Sequence, residues 1–396
     1  MKRAADRPPL VVVGGSTNAL SVARSLGELG VRVYGLGVDP FVARSRHLEP
    51  IRLGPDADSA ADVEAAWTQA LLGPATEHLR GAVVVAGDDV GLTVLARHRD
   101  ALLERFRLDE SDVRAQLGML DKLTTYEWAR EAGVPTPRFW RVATMADLER
   151  LRDELVYPLI VKPLLSHEYQ ARFPGATKFR VAEDHDALVT GYRELAEVGL
   201  AVMLVEKILG SDEQLCSYAT HLDASGVPAF DFHKRVIRRY PPNEGLACYH
   251  VTGHDPEVKE LALRLLKHAG VRGLASVEFI RDERDGLLKL IECNARFSAA
   301  NPLLVVAGID AARLVYFRAI GEAYPLPAEH REGLRLWYPV DDLRSFLALR
   351  RRGELGTGRW LRSIAHRQHF PILALRDPMP AVARAVLRAR KALRQR

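Results

Sequence analysis

Apolar and polar positions follow two periods along this chain, and the changes of period mark its elements. The unbroken apolar run Leu10-Val11-Val12-Val13 has the length of a buried strand, and Gly14-Gly15-Ser16-Thr17-Asn18 after it has turn chemistry. Ala19 to Leu29 then takes helical spacing, and Val31-Arg32-Val33-Tyr34-Gly35 reads as the next strand. Ala82-Val83-Val84-Val85-Ala86 is another buried strand, ending in Gly87-Asp88-Asp89. Together these predict an open α/β unit over residues 10–115. The spaced glycines of a dinucleotide-binding turn are missing, which argues against NAD. Asp88 lies at the carboxyl end of its strand, where open α/β sheets bind ligands, and is a candidate for gripping a substrate amine. Capping the next helix is the competing role.

Further on, Lys122 opens a helical run that Gly133 ends, followed by the rigid entry Val134-Pro135-Thr136-Pro137. Lys162 closes the short apolar strand Tyr157-Pro158-Leu159-Ile160-Val161-Lys162-Pro163. An ammonium among Leu, Ile and Val is costly unless an anion meets it, although a long lysine can also snorkel to water. Leu204-Val205-Glu206-Lys207-Ile208-Leu209-Gly210-Ser211-Asp212-Glu213 is an apolar strand running into a polar turn.

The densest chemistry lies between Ala275 and Arg296. Ala275-Ser276-Val277-Glu278-Phe279-Ile280 and Ile291-Glu292-Cys293-Asn294-Ala295-Arg296 both read as strands, with Asp285-Gly286 as a hairpin turn between them. Alternation puts Glu292, Asn294 and Arg296 on one face, with Ile291, Cys293 and Ala295 on the other. If Glu278 pairs near Glu292 or Leu290, two carboxylates share that face about 5 Å apart at Cβ. Like charges so close need a cation between them, or one must take up a proton. Two carboxylates, an amide oxygen and a guanidinium suit Mg²⁺ carrying a polyphosphate. A solvated sheet edge is the plainer alternative.

The order Lys122, Lys162, Glu206 to Glu213, Glu278, Glu292, Asn294, Arg296 resembles the ATP-grasp superfamily across roughly residues 10 to 325. That resemblance implies an α/β and α+β fold: an N-terminal open, Rossmann-like α/β domain (1–115), a small ATP-grasp subdomain with a lid loop (116–200), a large subdomain with the metal site (201–328), and a basic C-terminal extension (329–396). It implies that Lys122 and Lys162 hold the α- and β-phosphates of ATP. Glu206 begins the hinge, whose backbone around Lys207 and Leu209 binds the adenine edge, and Glu213 meets the ribose. Glu278, Glu292 and Asn294 hold Mg²⁺, two ions in the family pattern, with Mn²⁺ as a substitute. Arg296 matches the arginine of the Asn-x-Arg version seen in carboxylase and carboxylate–amine ligase branches. The usual Gly/Ser-rich lid is replaced by residues 164–178, with one glycine, so its phosphate contacts would come from Arg172 or Lys178. Val236-Ile237-Arg238-Arg239-Tyr240-Pro241-Pro242 is similar to a run in ligases that include D-aspartate ligase-like proteins, with Val236 where their lysine falls.

The implied activity is an ADP-forming ligase that phosphorylates a carboxylate and couples it to an amine. Arg296 is expected to steady the carboxylate and the oxyanion, and Arg238 the transferring phosphoryl group; Arg239, one residue on, should point away. His233 and His250 are candidate bases. A thiol or carboxylation acceptor is one alternative, and a non-catalytic nucleotide-binding protein at a membrane is another.

Composition narrows this modestly. Nearly half of the 396 residues are apolar, enough for a large core. Cys216, Cys248 and Cys293 are odd in number and widely spaced, which argues against a disulfide scaffold. Cys293 should face the core. Neither a signal-peptide run nor a spanning segment is visible, so a cytoplasmic protein is expected. Charge is uneven. From Arg331 onward fifteen Arg and one Lys oppose two Glu and three Asp, a net +11 in a chain of +5. Val382, Val386, Ala389 and Leu393 form a helical stripe flanked by Arg384, Arg388, Lys391 and Arg394. Docking on its own domain, contact with an anionic membrane at the inner surface, and nucleic-acid binding all fit such a helix. Nucleic acid fits least, because no aromatic residues interleave with the charges.

Overall fold

The computed structural model describes residues 7–53, 63–165, 169, 172–173, 179–327 and 329–394. Three sheets organise them. The first is parallel and runs β3-β2-β1-β4-β5, from β1 (Leu10–Val13), β2 (Val33–Leu36), β3 (Glu49–Pro50), β4 (Val83–Ala86) and β5 (Arg107–Leu108). β1 and β4 are apolar throughout because both of their faces are covered. Val11, Val13 and Val84 share a core with Trp67, Leu92 and Leu95. Leu10, Val12 and Val83 share another with Leu20, Leu26, Leu303 and Leu314. At the strand tips Gly14, at φ +70°, and Gly87 let β1 and β4 approach. A Cβ on Gly87 would sit 2.3 Å from the Gly14 carbonyl oxygen.

The second sheet is antiparallel and runs β6-β9-β7-β8, from β6 (Phe139–Val142), β7 (Leu159–Pro163), β8 (Arg180–Ala182) and β9 (Val202–Glu206). Helices Met145–Leu151 and His185–Ala196 cover it through Leu148, Leu151, Leu188 and Leu195.

The third runs β14-β13-β10-β11-β12-β15-β16. Its strands are β10 (Leu215–Leu222), β11 (Phe232–Tyr240), β12 (Leu246–Gly253), β13 (Gly273–Arg281), β14 (Leu288–Asn294), β15 (Arg335–Trp337) and β16 (Gln368–His369). Val277, Phe279 and Leu290 pack against helix Pro256–His268 and helix Lys122–Glu131 through Leu261, Leu265, Tyr126 and Ala129. β15 and β16 lie beyond residue 328, so the large sheet continues into the basic C-terminal segment. The three cysteines are free thiols.

Candidate active site

β13 and β14 pair with Glu278 opposite Glu292 and Ser276 opposite Asn294, so these four side chains share one face of the large sheet. Val277 and Cys293 take the other face, inside the core. Burial there pushes the Cys293 thiol up, away from nucleophilic use. The acidic row continues sideways. Glu278 is opposite Ser217 on β10, Ser217 is opposite Lys234 on β11, and Lys234 is opposite Thr252 on β12. Lys234 is buried, with Nζ 3.8 Å from Glu278 Oε1, and Asn294 Nδ2 donates to Glu292 Oε1 at 3.2 Å.

The small sheet delivers Lys162, and a helix delivers Lys122. Lys162 Nζ donates to the Ile291 carbonyl at 3.3 Å, next in the chain to Glu292, and lies 5.5 Å from the Tyr126 ring centre. The Tyr126 hydroxyl donates to the same carbonyl at 3.1 Å; burial and then Glu292 raise its pKa. Lys122 is the first residue of a helix capped by Asp121, and its Nζ donates to the Leu164 carbonyl just past β7 at 3.1 Å.

Glu206 ends β9 as a buried carboxylate. It accepts from Arg284 Nη1 at 2.7 Å and from the Arg138 N–H at 3.2 Å. Burial alone would raise its pKa, but these donors and the Arg284 and Arg138 charges outweigh burial and hold it down. Arg284 also grips Asp282 at 2.6 Å, so the hinge strand is tied to the β13–β14 turn. Two hinge groups expected to meet adenine are already engaged. The Lys207 N–H donates to the Pro158 carbonyl at 3.1 Å, and the Leu209 carbonyl accepts from the Glu283 N–H at 2.8 Å. Beside them Ile208 packs with Leu215, Val236, Ile280 and Ile291, an apolar patch beside the acidic row. Glu213 is exposed in the turn Asp212–Gln214. The buried acid of that turn is Asp212, which accepts from Arg239 Nε at 2.6 Å.

Three expectations need correction. A bulge between Val236 and Arg238 reverses the alternation, so Arg238 pairs with Tyr249 and leaves the carboxylate face. It is buried in an ion pair with Asp342 at 2.6 Å, its guanidinium 5.0 Å from the Tyr249 ring centre. Arg239, expected to point away, is the one that reaches the hinge turn. Arg172 donates to the Val198 carbonyl at 2.8 Å, inside its own subdomain. Asp88 takes the capping role weighed for it, accepting from the Gly91 and Gly15 N–H groups at 2.8 and 2.9 Å. Lys178 lies outside the described residues.

Arg296 follows the end of β14 and turns toward the N-terminal unit. Its Nε meets Asp89 Oδ1 at 2.6 Å, and it lines a small cavity with Ser276, Ser298 and Asn301. Burial favours its neutral form, but Asp89 outweighs that and raises its pKa. His250, opposite Val236 on the acidic face, is lowered to about 3 by burial and by Lys234. His233 falls to about 4 through burial and the neighbouring His254 and His330. Both are neutral near pH 7.

Among the described residues no three His, Cys, Asp or Glu side chains gather as a metal site. The face offers two opposed carboxylates and an amide, a partial hard-oxygen set that fits Mg²⁺ when phosphate oxygens and water complete it. Sequence reasoning missed Lys234, Asp89 and Arg284. Lys234 was legible in principle, since it stands between Phe232 and Val236 on an apolar strand much as Lys162 does on its own.

A small antiparallel sheet carrying Lys162, preceded in sequence by the helix that opens at Lys122 and set against a larger sheet carrying paired acids, has the ATP-grasp architecture. No protein-family model matches the chain. It is 30% identical over 222 residues to a D-alanine–D-alanine ligase of Methylococcus capsulatus, covering 52% of this chain and 67% of that one. It is 28% identical over 192 residues to the corresponding ligase of a Thermoanaerobacter strain, spanning about half of that relative's length. A D-aspartate ligase of Enterococcus faecium is 21% identical over 317 residues, 77% of this chain and 75% of that protein. Among solved structures, an N5-carboxyaminoimidazole ribonucleotide synthetase superposes with a TM-score of 0.61 at 15% identity, over 85% of this chain and 82% of that one. An L-amino acid ligase from Bacillus licheniformis gives 0.58 at 18% identity, over 80% and 75%. The chain belongs to the ATP-grasp superfamily.

Proposed function

We propose that this protein is an ADP-forming carboxylate–amine ligase. The observation that carries the reading is the direct opposition of Glu278 and Glu292, with Asn294 beside them and Lys234 and Lys162 approaching from two sides. Membership beside D-alanine and D-aspartate ligases supports it.

Glu278, Glu292 and Asn294 would hold Mg²⁺, which when bound neutralises phosphate charge and orients the terminal phosphoryl group. Lys122 and Lys162 would carry the α- and β-phosphates, with Lys178 as a further phosphate contact. The patch of Ile208, Leu215, Val236, Ile280 and Ile291 would seat the adenine, with the hinge backbone from Glu206 through Lys207 to Leu209 along its edge and Glu213 at the ribose. Lys234 would face the phosphoryl group in transfer. The Asp89–Arg296 pair is complementary to a zwitterion, with Arg296 for a carboxylate and Asp89 for an ammonium. Carboxylate oxygen attacks the γ-phosphorus, ADP leaves, and an amine then displaces phosphate from the acyl phosphate to form an amide.

The test is ADP release with a mixed amino-acid pool, with hydroxylamine as a trap. Hydroxamate that appears with the wild-type chain and disappears in Glu292→Ala supports the ligase. ADP release that survives Glu292→Ala removes the assignment. For the basic C-terminal segment, peripheral contact with an anionic membrane is the reading its +11 charge favours. No described helix is long and apolar enough to cross a membrane.

A further inference from the structure

Helix Met379–Arg394 contains no Asp or Glu, and its amphipathic character is inverted. A terminal helix docked on its own domain turns its apolar stripe inward. Here the inward positions are Pro380, Ala383, Arg384 and Arg388. Arg388 meets Asp341 at 2.6 Å; Arg384 lies 3.8 Å from Asp341 and stacks on Phe41 and Tyr338, 5.4 and 5.8 Å from their ring centres. The stripe of Met379, Val382, Val386 and Leu393 faces out, with exposures of 51, 51, 45 and 72%. Leu373 and Leu375 are also exposed in the segment leading to it. That segment is anchored: Asp377 is buried and accepts from Arg24 Nε at 2.9 Å, Ser45 Oγ at 2.7 Å and the Arg46 N–H at 3.0 Å. The apolar row is therefore presented on a fixed base, with Arg390 exposed beside it and Lys391 exposed on the helix's other side.

We propose that this outward stripe is an insertion face for an anionic lipid surface, resting on the membrane-contact reading above. Arg384 and Arg388 rivet the helix to the body, while Arg390 and Lys391 supply the electrostatic attraction. Charge selects this occupant over a second copy paired through the same helix, which would bring the same cations and no acid to meet them.

The full chain is sedimented with phosphatidylcholine vesicles with and without phosphatidylglycerol. Binding to the phosphatidylglycerol vesicles alone, reduced at least tenfold in Val386→Asp/Leu393→Asp, supports the proposal. Val386→Ser/Leu393→Ser carries the same test should thermal melting show the aspartate pair unfolded. If the stripe variants bind like wild type while Arg390→Gln/Lys391→Gln does not, membrane contact stands and the insertion face falls. Absence of binding to either vesicle overturns both. Equal binding to the two vesicle types overturns the anionic occupant. Concentration-dependent self-association abolished by the stripe variants assigns the face to a second copy and overturns the proposal.

Discussion

The buried pair Arg238–Asp342 decides between two roles for one arginine. The sequence run suggests a phosphoryl ligand, and the bulge makes it a structural strut. Arg238 Nε and Nη2 donate to the two Asp342 oxygens at 2.6 and 3.2 Å, and Nη1 donates to Ser363 Oγ at 2.9 Å. Trp360 Nε1 donates to Asp342 at 2.9 Å. Both charged side chains are at most 5% exposed. Asp342→Ala would therefore strand a guanidinium and an indole N–H away from water, a loss of about 3–5 kcal/mol. Replacing both partners by apolar residues, as Arg238→Met with Asp342→Leu, leaves no buried charge and should recover about half of that loss or more. The assay is urea unfolding of wild type, both single variants and the double variant, with ADP release measured on every folded form. A strut predicts strong coupling in the stability cycle and ADP release within about threefold of wild type for the folded double variant, under 1 kcal/mol of barrier. A folded Arg238→Met protein that has lost ADP release a hundredfold would return Arg238 to the site.

Lys234→Met should lower kcat/KM for ATP by about a hundredfold, because it removes a buried cation aimed at charge that moves in the reaction, while Lys234→Arg should recover part of it; steady-state kinetics with circular dichroism as a folding control checks this. His233 is neutral in the fold with a pKa of about 4, below the ordinary value near 6.5, so the unfolded chain binds more protons between those limits. Its contribution is thus intact above about pH 6.5 and is lost as pH falls toward 4, by about 2 kcal/mol at pH 5. Unfolding of His233→Phe at pH 7 and pH 5 should show a smaller acid loss than wild type, and an identical loss would contradict the assignment.

Much of the site was legible because alternation is a strict rule within an uninterrupted strand. Glu292, Cys293 and Asn294 obey it, but Glu278 meets Glu292 only because a bulge at Ile291 shifts the hairpin register, and Ile291, expected on the core face, joins the apolar patch beside the acidic row. The same rule misplaced Arg238 and Arg239, since one extra residue at Ile237 exchanges their faces and no turn residue announces the bulge. Arg296 lies past the strand end and still lines a cavity with Ser276 of the acidic face, but its partner Asp89, some two hundred residues away in sequence, was beyond the reach of alternation. β15 and β16, of three and two residues, are too short for a periodic signal, so their joining of the large sheet could not be read in advance. The helical stripe at Val382, Val386 and Leu393 was visible, but which way it faces depends on Asp341, Phe41 and Tyr338, all distant in the chain.

Glu278 and Glu292 are proposed to hold the cation that carries nucleotide phosphates. Calorimetric titration of a non-hydrolysable ATP analogue into wild type and Glu292→Gln, with and without Mg²⁺, tests it most directly. Mg²⁺ should tighten nucleotide binding in wild type and this gain should vanish in Glu292→Gln, while metal-free affinity stays within about threefold. An equal Mg²⁺-dependent gain in both proteins would contradict that assignment.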